Sequence, residues 1–221
     1  MFRRVFVPAI VAGLLAGLVV SVVQAAKLWP LIAAAEVYEA PTADHAAQSW
    51  EPEPGLERGA ATVLANVVIA TGFGLLLSTG FALRQMLTGV AAGAREGLLW
   101  GIAGFACFAL APSLGLPPQL PGSAAADLLT RQSWWLGTAM ATAAGIAAIA
   151  FAHRARWRAL GVCLLVLPHL IGAPSPSLAA GTAPAGLAAA FAAASLVTAA
   201  VFWTVLGSAG GWLYARLAGD A

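Results

Sequence analysis

Six stretches of this chain contain no Asp, Glu, Lys or Arg: about residues 5–26, 59–83, 97–116, 133–152, 159–173 and 185–215. Runs of that length in water would leave an intolerable apolar surface. In a bilayer they satisfy their backbone only as helices, because hydrocarbon offers no partner to an open N–H or C=O. About 20 helical residues cross the hydrocarbon layer. Five runs reach that length, and residues 159–173 fall short of it at 15 residues, with Pro168 and His169 near their end. The pattern predicts an all-α, polytopic integral membrane helix bundle forming one membrane domain over residues 1–221. It has six transmembrane spans, or five if residues 159–173 are re-entrant. Only 9% of the 221 residues are charged, against about 25% in a soluble domain. No basic cluster invites nucleic acid. Cys107 and Cys163 both lie inside apolar runs and form no C-x-x-C motif.

The first run follows Met-Phe-Arg-Arg and continues for 22 uncharged residues. A signal peptide has an apolar core of only about 7–15 residues, so this run reads as a retained first span. Gly13 and Gly17 make a G-x-x-x-G pair suited to close helix packing.

Orientation follows from the basic residues. With six spans and a cytoplasmic N-terminus, the inside holds Arg3, Arg4, Arg84, Arg95, Arg154, Arg156, Arg158 and Arg216. The outside keeps Lys27, Arg58 and Arg131, in accord with the positive-inside rule. Residues 27–58 then form an outer, periplasmic loop rich in acids. Trp29, Trp134 and Trp135 fall at outer span ends and Trp100, Trp157, Trp212 and Tyr214 at inner ones, as an interfacial aromatic belt would. Trp203 falls in mid-span. No span carries an acid or base near its centre, which argues against a buried proton relay.

Chemistry is therefore expected at the outer face. Residues 111–135 are stiffened in their first half by Pro112, Pro117, Pro118 and Pro121 with Gly115 and Gly122, a backbone that a regular helix cannot follow. Asp127, Arg131 and Gln132 come next, ahead of the Trp134–Trp135 pair. On the same side lie Glu36 and Glu39, three residues apart and on one face of a helical turn, together with His45 and His169. Carboxylates and an imidazole suit a first-row divalent ion such as Co²⁺, Ni²⁺ or Zn²⁺. Each residue also has a plainer reading. The two glutamates serve equally as solvated acids at a helix end, His169 as a cap or loop tie, and Arg131 and Gln132 as ties to loop carbonyls.

The pieces L-I-A-A-A-E-V-Y-E, G-I-A-G-F-A-C-F-A-L-A-P-S-L-G-L-P-P-Q-L-P-G, R-Q-S-W-W-L-G-T-A-M-A-T-A and L-P-H-L-I-G-A-P follow one another in that order. In this ordered set the chain resembles the CbtA family of probable cobalt transporter subunits. One departure stands out: the family pattern leads to a Glu in the P-P-x-L-P-G segment, where this chain has Gln119. The resemblance implies a bacterial inner-membrane protein of five or six spans, cobalt uptake with cobalamin-linked regulation, and a small one-span partner with a His-rich tail.

The expected function is a membrane component of a divalent metal uptake system, cobalt foremost, with an outer entry site of Glu36, Glu39, Asp127 and His169. Its partners are the lipid bilayer, the transported metal ion and the His-rich subunit, and no resident cofactor is expected. No G-x-x-x-x-G-K-[ST] loop is present to power transport by ATP. Two alternatives remain open at this point: a membrane enzyme using the same outer acids and His169 on a lipid-linked or periplasmic substrate, or a non-transporting scaffold subunit. The enzyme reading lacks a Ser-His-Asp or H-E-x-x-H arrangement.

Overall fold

A computed structural model describes residues 2–38, 55–120, 123–175 and 183–219. Among these residues the secondary structure is helical, in chain order: α1 (Phe2–Lys27), α2 (Trp29–Glu36), α3 (Leu56–Thr88), α4 (Ala94–Phe105), a π turn (Ala106–Leu110), α5 (Ala111–Ser113), α6 (Leu128–Phe151), α7 (Ala155–Ile171) and α8 (Ala185–Gly219). Five helical stretches are long and apolar enough to cross a membrane: α1, α3, the run Ala94–Ser113, α6 and α8. This is the polytopic helical class expected. Helix α7 has 17 residues, about 26 Å at 1.5 Å per residue, slightly short of a 30 Å hydrocarbon layer.

The helix ends depart from the expected spans for local reasons. The third span, expected over residues 97–116, runs from Ala94 to Ser113 and passes through the π turn. Pro112 has no N–H to give the preceding turn, and the π turn before it bonds the Ala111 N–H to the Ala106 carbonyl. The fourth span begins at Leu128 rather than Ser133, because Asp127 caps it. Helix α3 outruns its expected limits and stops at Gly89, whose φ of 74° lets its N–H close back on the Gln85 carbonyl.

The chain divides into two compact units. The first comprises Met1–Pro30, Ala40–Ile102 and Val197–Ala221, and glycine organises it. The expected G-x-x-x-G pair of α1 is in use: a methyl on Gly13 would meet the Thr71 backbone at 2.7 Å, and one on Gly17 would meet Val67 at 2.7 Å. From the other side, Gly74 lies against the Ala9 carbonyl. The descending partner numbers make α1 and α3 antiparallel. A polar clasp ties the same pair, with the Asn66 amide donating to Ser21 Oγ at 3.0 Å and to Gln24 Oε1 at 2.7 Å.

Within this unit α4 and α8 also meet backbone to backbone. Gly97 and Gly101 face the carbonyls of Gly207 and Trp203, while Gly207 and Gly211 face those of Gly97 and Gly93. Around that crossing sits an aromatic core. Trp203, the mid-span residue without an assigned role, is 4% exposed and tilts against Phe73 with ring centroids 4.9 Å apart. Trp100 packs edge-on to Phe81 and covers Gly80. Tyr214 is buried and donates its hydroxyl to Gln85 Oε1 at 2.8 Å. Tyr214 is therefore a core residue, not the interfacial anchor expected, because Gln85 lets its polar tip be buried. Trp212 does fit the belt: it is exposed, and the Arg216 guanidinium lies 4.4 Å from its ring.

The second unit comprises Leu31–Glu39 and Ala103–Leu196. Here α6 and α7 pack antiparallel through a second glycine contact. A methyl on Gly145 would meet the Gly161 carbonyl at 2.8 Å, and one on Gly161 would meet the Gly145 carbonyl at 2.7 Å. At the other end of the pair Trp134 packs edge-on against His169, with centroids 6.1 Å apart.

The close crossing in the first unit gives a sharp prediction. Gly207→Ala drives a methyl into the Gly97 carbonyl and should destabilise by about 1–3 kcal/mol, the usual cost of overpacking. Gly72→Ala, at a position with nothing within 4 Å, should be neutral. Thermal unfolding of the two purified variants in detergent checks the contrast.

Candidate functional site

Of the expected site residues, Glu36, Asp127 and His169 belong to the second unit. Glu36 is the last residue of α2 and is solvent-exposed. Glu39 and His45 lie outside the described residues. Asp127 and His169 stand at the same end of the antiparallel α6–α7 pair, Asp127 capping the start of α6 and His169 in the last turn of α7.

Asp127 already has structural work. Its Oδ2 accepts from the Thr130 backbone N–H at 3.0 Å and from the Thr130 hydroxyl at 3.1 Å. This is an N-cap, in which a side-chain oxygen takes up one of the orphan donors of the first turn. The backbone N–H of Thr130 chiefly, and its hydroxyl next, hold the carboxyl below the usual carboxylate value. The carboxylate stays charged at the helix N-terminus, where the helix dipole also favours it.

His169 is half-buried, and its ring meets that of Trp134 edge-to-face. Pro168, buried beside it, sits inside α7. Trp134 is more than the interface anchor expected: it covers Gly115, with its ring 2.5 Å from where a methyl would lie there, and so joins the proline-rich segment to α6. Its neighbour Trp135 packs on Phe108 of the π turn. The tie expected of Arg131 is not made through Nε, which is buried without a hydrogen-bond partner among the described residues. Trp134 Nε1 is in the same condition.

Among the described residues, no three of His, Cys, Asp and Glu come together closely enough to hold a metal ion. Asp127 and His169 share one end of a helix pair, and Glu36 completes no triad with them. Sequence reasoning passed over a different set of polar groups, the Thr138 and Thr142 hydroxyls. Both are buried and without partners among the described residues. Their T-x-x-x-T spacing in an apolar run was the available signal.

Long apolar helices, an absence of mid-span charge and polar groups gathered at helix ends define a multi-pass membrane protein with the build of a transporter component. The family described as probable cobalt transporter subunit (CbtA) matches residues 2–215, nearly the whole chain, and the chain belongs to that family. No curated protein and no solved structure matches it.

The Asp127 cap carries a pH signature. A carboxyl held below its ordinary value of 3.8 adds stability that is present above that pH and is lost as pH falls through the lowered value. Asp127→Asn keeps a good cap and should flatten the acid side of the stability profile. Asp127→Ala should lower the melting temperature slightly at neutral pH as well. Melting curves at neutral pH and below pH 3.8 compare the three proteins.

Proposed function

We propose that the chain is the membrane component of a divalent metal uptake system, with Co²⁺ as the principal ion. The observation that carries this reading is the family match across residues 2–215. Membership in a family of transporter subunits also favours a non-enzymatic role and the presence of partner subunits. In this reading the protein sits in a bacterial inner membrane with its N-terminus cytoplasmic, and α7 crosses as a sixth, short span.

The ion enters from the outer face. Glu36 and Glu39, acting beside Asp127 and His169, attract the hydrated cation and offer oxygen and imidazole ligands as it sheds water. That donor set favours first-row ions of the cobalt–nickel–zinc group over Mg²⁺ or Ca²⁺, which take oxygen almost alone. In this reading Asp127 keeps its cap on α6 through Oδ2, which carries both Thr130 bonds, and meets the cation through Oδ1. His169 packs against Trp134 at the same end of the helix pair.

Energy for uptake comes from outside this chain. An inside-negative potential favours entry of a divalent ion by about 4.6 kcal/mol per 100 mV. That is more than a thousandfold in equilibrium distribution, enough to drive uptake without nucleotide hydrolysis. A small one-span subunit with a His-rich tail would collect the ion and present it to the entry site.

Cobalt accumulation by intact cells tests the site. Glu39→Gln and His169→Ala should each cut accumulation about tenfold, the usual loss when a ligand or its support is removed, at unchanged abundance in the membrane. Glu51→Gln, also in the acidic segment, should have little effect. Equal and small effects at all three positions would reduce the acids to a general attractor of cations.

A further inference from the structure

The turn that joins α6 to α7 carries His153, Arg154, Arg156, Trp157 and Arg158, all exposed. Arg154, Arg156 and Arg158 fall within five consecutive residues, and like charges so close repel one another. They also stand at the start of α7, whose first turn holds no acid. A helix dipole favours negative charge at that end, so each guanidinium is placed against it. The helix pair supplies no remedy. Between residues 103 and 196 the sequence has one acid, Asp127. That residue caps the opposite end of α6, a helix of 24 residues and so about 36 Å long. The cluster is costly by itself and calls for an anion from outside the pair.

Two of the three guanidiniums are steadied. Arg158 Nε donates to the Ala152 carbonyl at 3.0 Å and closes the turn, which leaves its two terminal nitrogens to a further partner. Arg156 lies over the Trp157 ring, 5.6 Å from the centroid, within cation–π range. A guanidinium held this way presents a planar fork of donors, the shape that matches a pair of phosphate oxygens.

The length of α6 sets the depth of the turn. This helix is one of those long and apolar enough to cross a membrane. Its length of about 36 Å exceeds a hydrocarbon layer of about 30 Å, but not the 40–45 Å or so that includes the headgroups. The residues just after Phe151 therefore lie among lipid phosphates. Phe151 and Trp157 are exposed beside the arginines, as interfacial aromatic rings commonly are.

We propose that the α6–α7 turn binds the phosphate of an anionic phospholipid, with Arg154, Arg156 and Arg158 as its donors. A zwitterionic lipid offers the same phosphate but brings a cation into a cluster that already has too many. A free phosphate lacks the acyl chains that would lie along Phe151 and Trp157. An acidic protein segment would first have to displace lipid at that depth. The claim rests on the membrane class of the fold and holds whatever solute the protein moves.

Native mass spectrometry of the full-length protein tests it, with titration in detergent by phosphatidylglycerol or by phosphatidylcholine of the same acyl chains. One arginine near an anionic lipid surface is worth roughly a fivefold preference, so the wild type should hold phosphatidylglycerol at least about tenfold more tightly. The Arg154→Gln, Arg156→Gln double variant keeps the tie of Arg158 to Ala152 and should lose most of that preference. A control with the same loss of charge, Arg3→Gln with Arg95→Gln, both exposed in the first unit, should keep it. Equal affinity of the wild type for the two lipids would overturn the proposal. So would equal losses in the two double variants, the mark of net charge alone. Displacement of the bound lipid by inorganic phosphate, or by a short polyglutamate peptide, at matching concentration would overturn it in favour of a soluble anion or an acidic protein partner. If the Arg154→Gln, Arg156→Gln variant does not fold, the wild-type lipid comparison and the competition decide. Cobalt uptake enters no readout, so failure of the transport reading and failure of this one are separable.

Discussion

Everything in this protein answers to the bilayer's refusal to hydrogen-bond. A backbone group left open in hydrocarbon costs several kcal/mol, so the described membrane-length segments are helices that close their own bonds. With lipid tails as apolar as Leu, helices gain nothing from hiding hydrophobic side chains from one another, and close backbone approach becomes the means of association. Glycine provides it in both units: Gly13, Gly17 and Gly74 between α1 and α3, Gly97, Gly101, Gly207 and Gly211 between α4 and α8, and Gly145 with Gly161 between α6 and α7.

The two units differ in how many of their buried polar groups are paired, although Ser78 Oγ of the first is also buried without a partner among the described residues. In the first, Asn66 with Ser21 and Gln24, and Tyr214 with Gln85, spend their polarity on each other and fasten helices. In the second, α6 carries a stripe of donors and hydroxyls without partners among the described residues, and α7 carries a proline that frees a carbonyl. A satisfied network fastens helices, whereas buried polar groups without partners are the exception in folded proteins. The second unit also holds Asp127 and His169.

Much of the fold was legible because uncharged runs have one outcome in hydrocarbon. The first and last spans, residues 5–26 and 185–215, match α1 and α8 closely. Helix ends were less legible where a single side chain decided them: Asp127 moves the start of α6 five residues earlier, and the π turn carries a helix through Pro112. Tyr214 was read as an anchor because its distant partner, Gln85, lies 129 residues away, a pairing that no local pattern announces. At the site, the sequence drew attention to charge and passed over hydroxyls. Thr138 and Thr142 look like ordinary small residues until burial and the absence of a back-bond are known. Glu36, in contrast, could be seen as acidic and outer-facing from sequence, but its place at the end of α2 does not bring it into a ligand triad.

The most direct test is vectorial. Right-side-out membrane vesicles from cells that express the protein, loaded to give an inside-negative potential, should take up radiolabelled cobalt faster than matched vesicles without it. Collapse of the potential should abolish the difference. Uptake indistinguishable from that of the vesicles lacking the protein, with the protein present and folded in the membrane, would contradict the account.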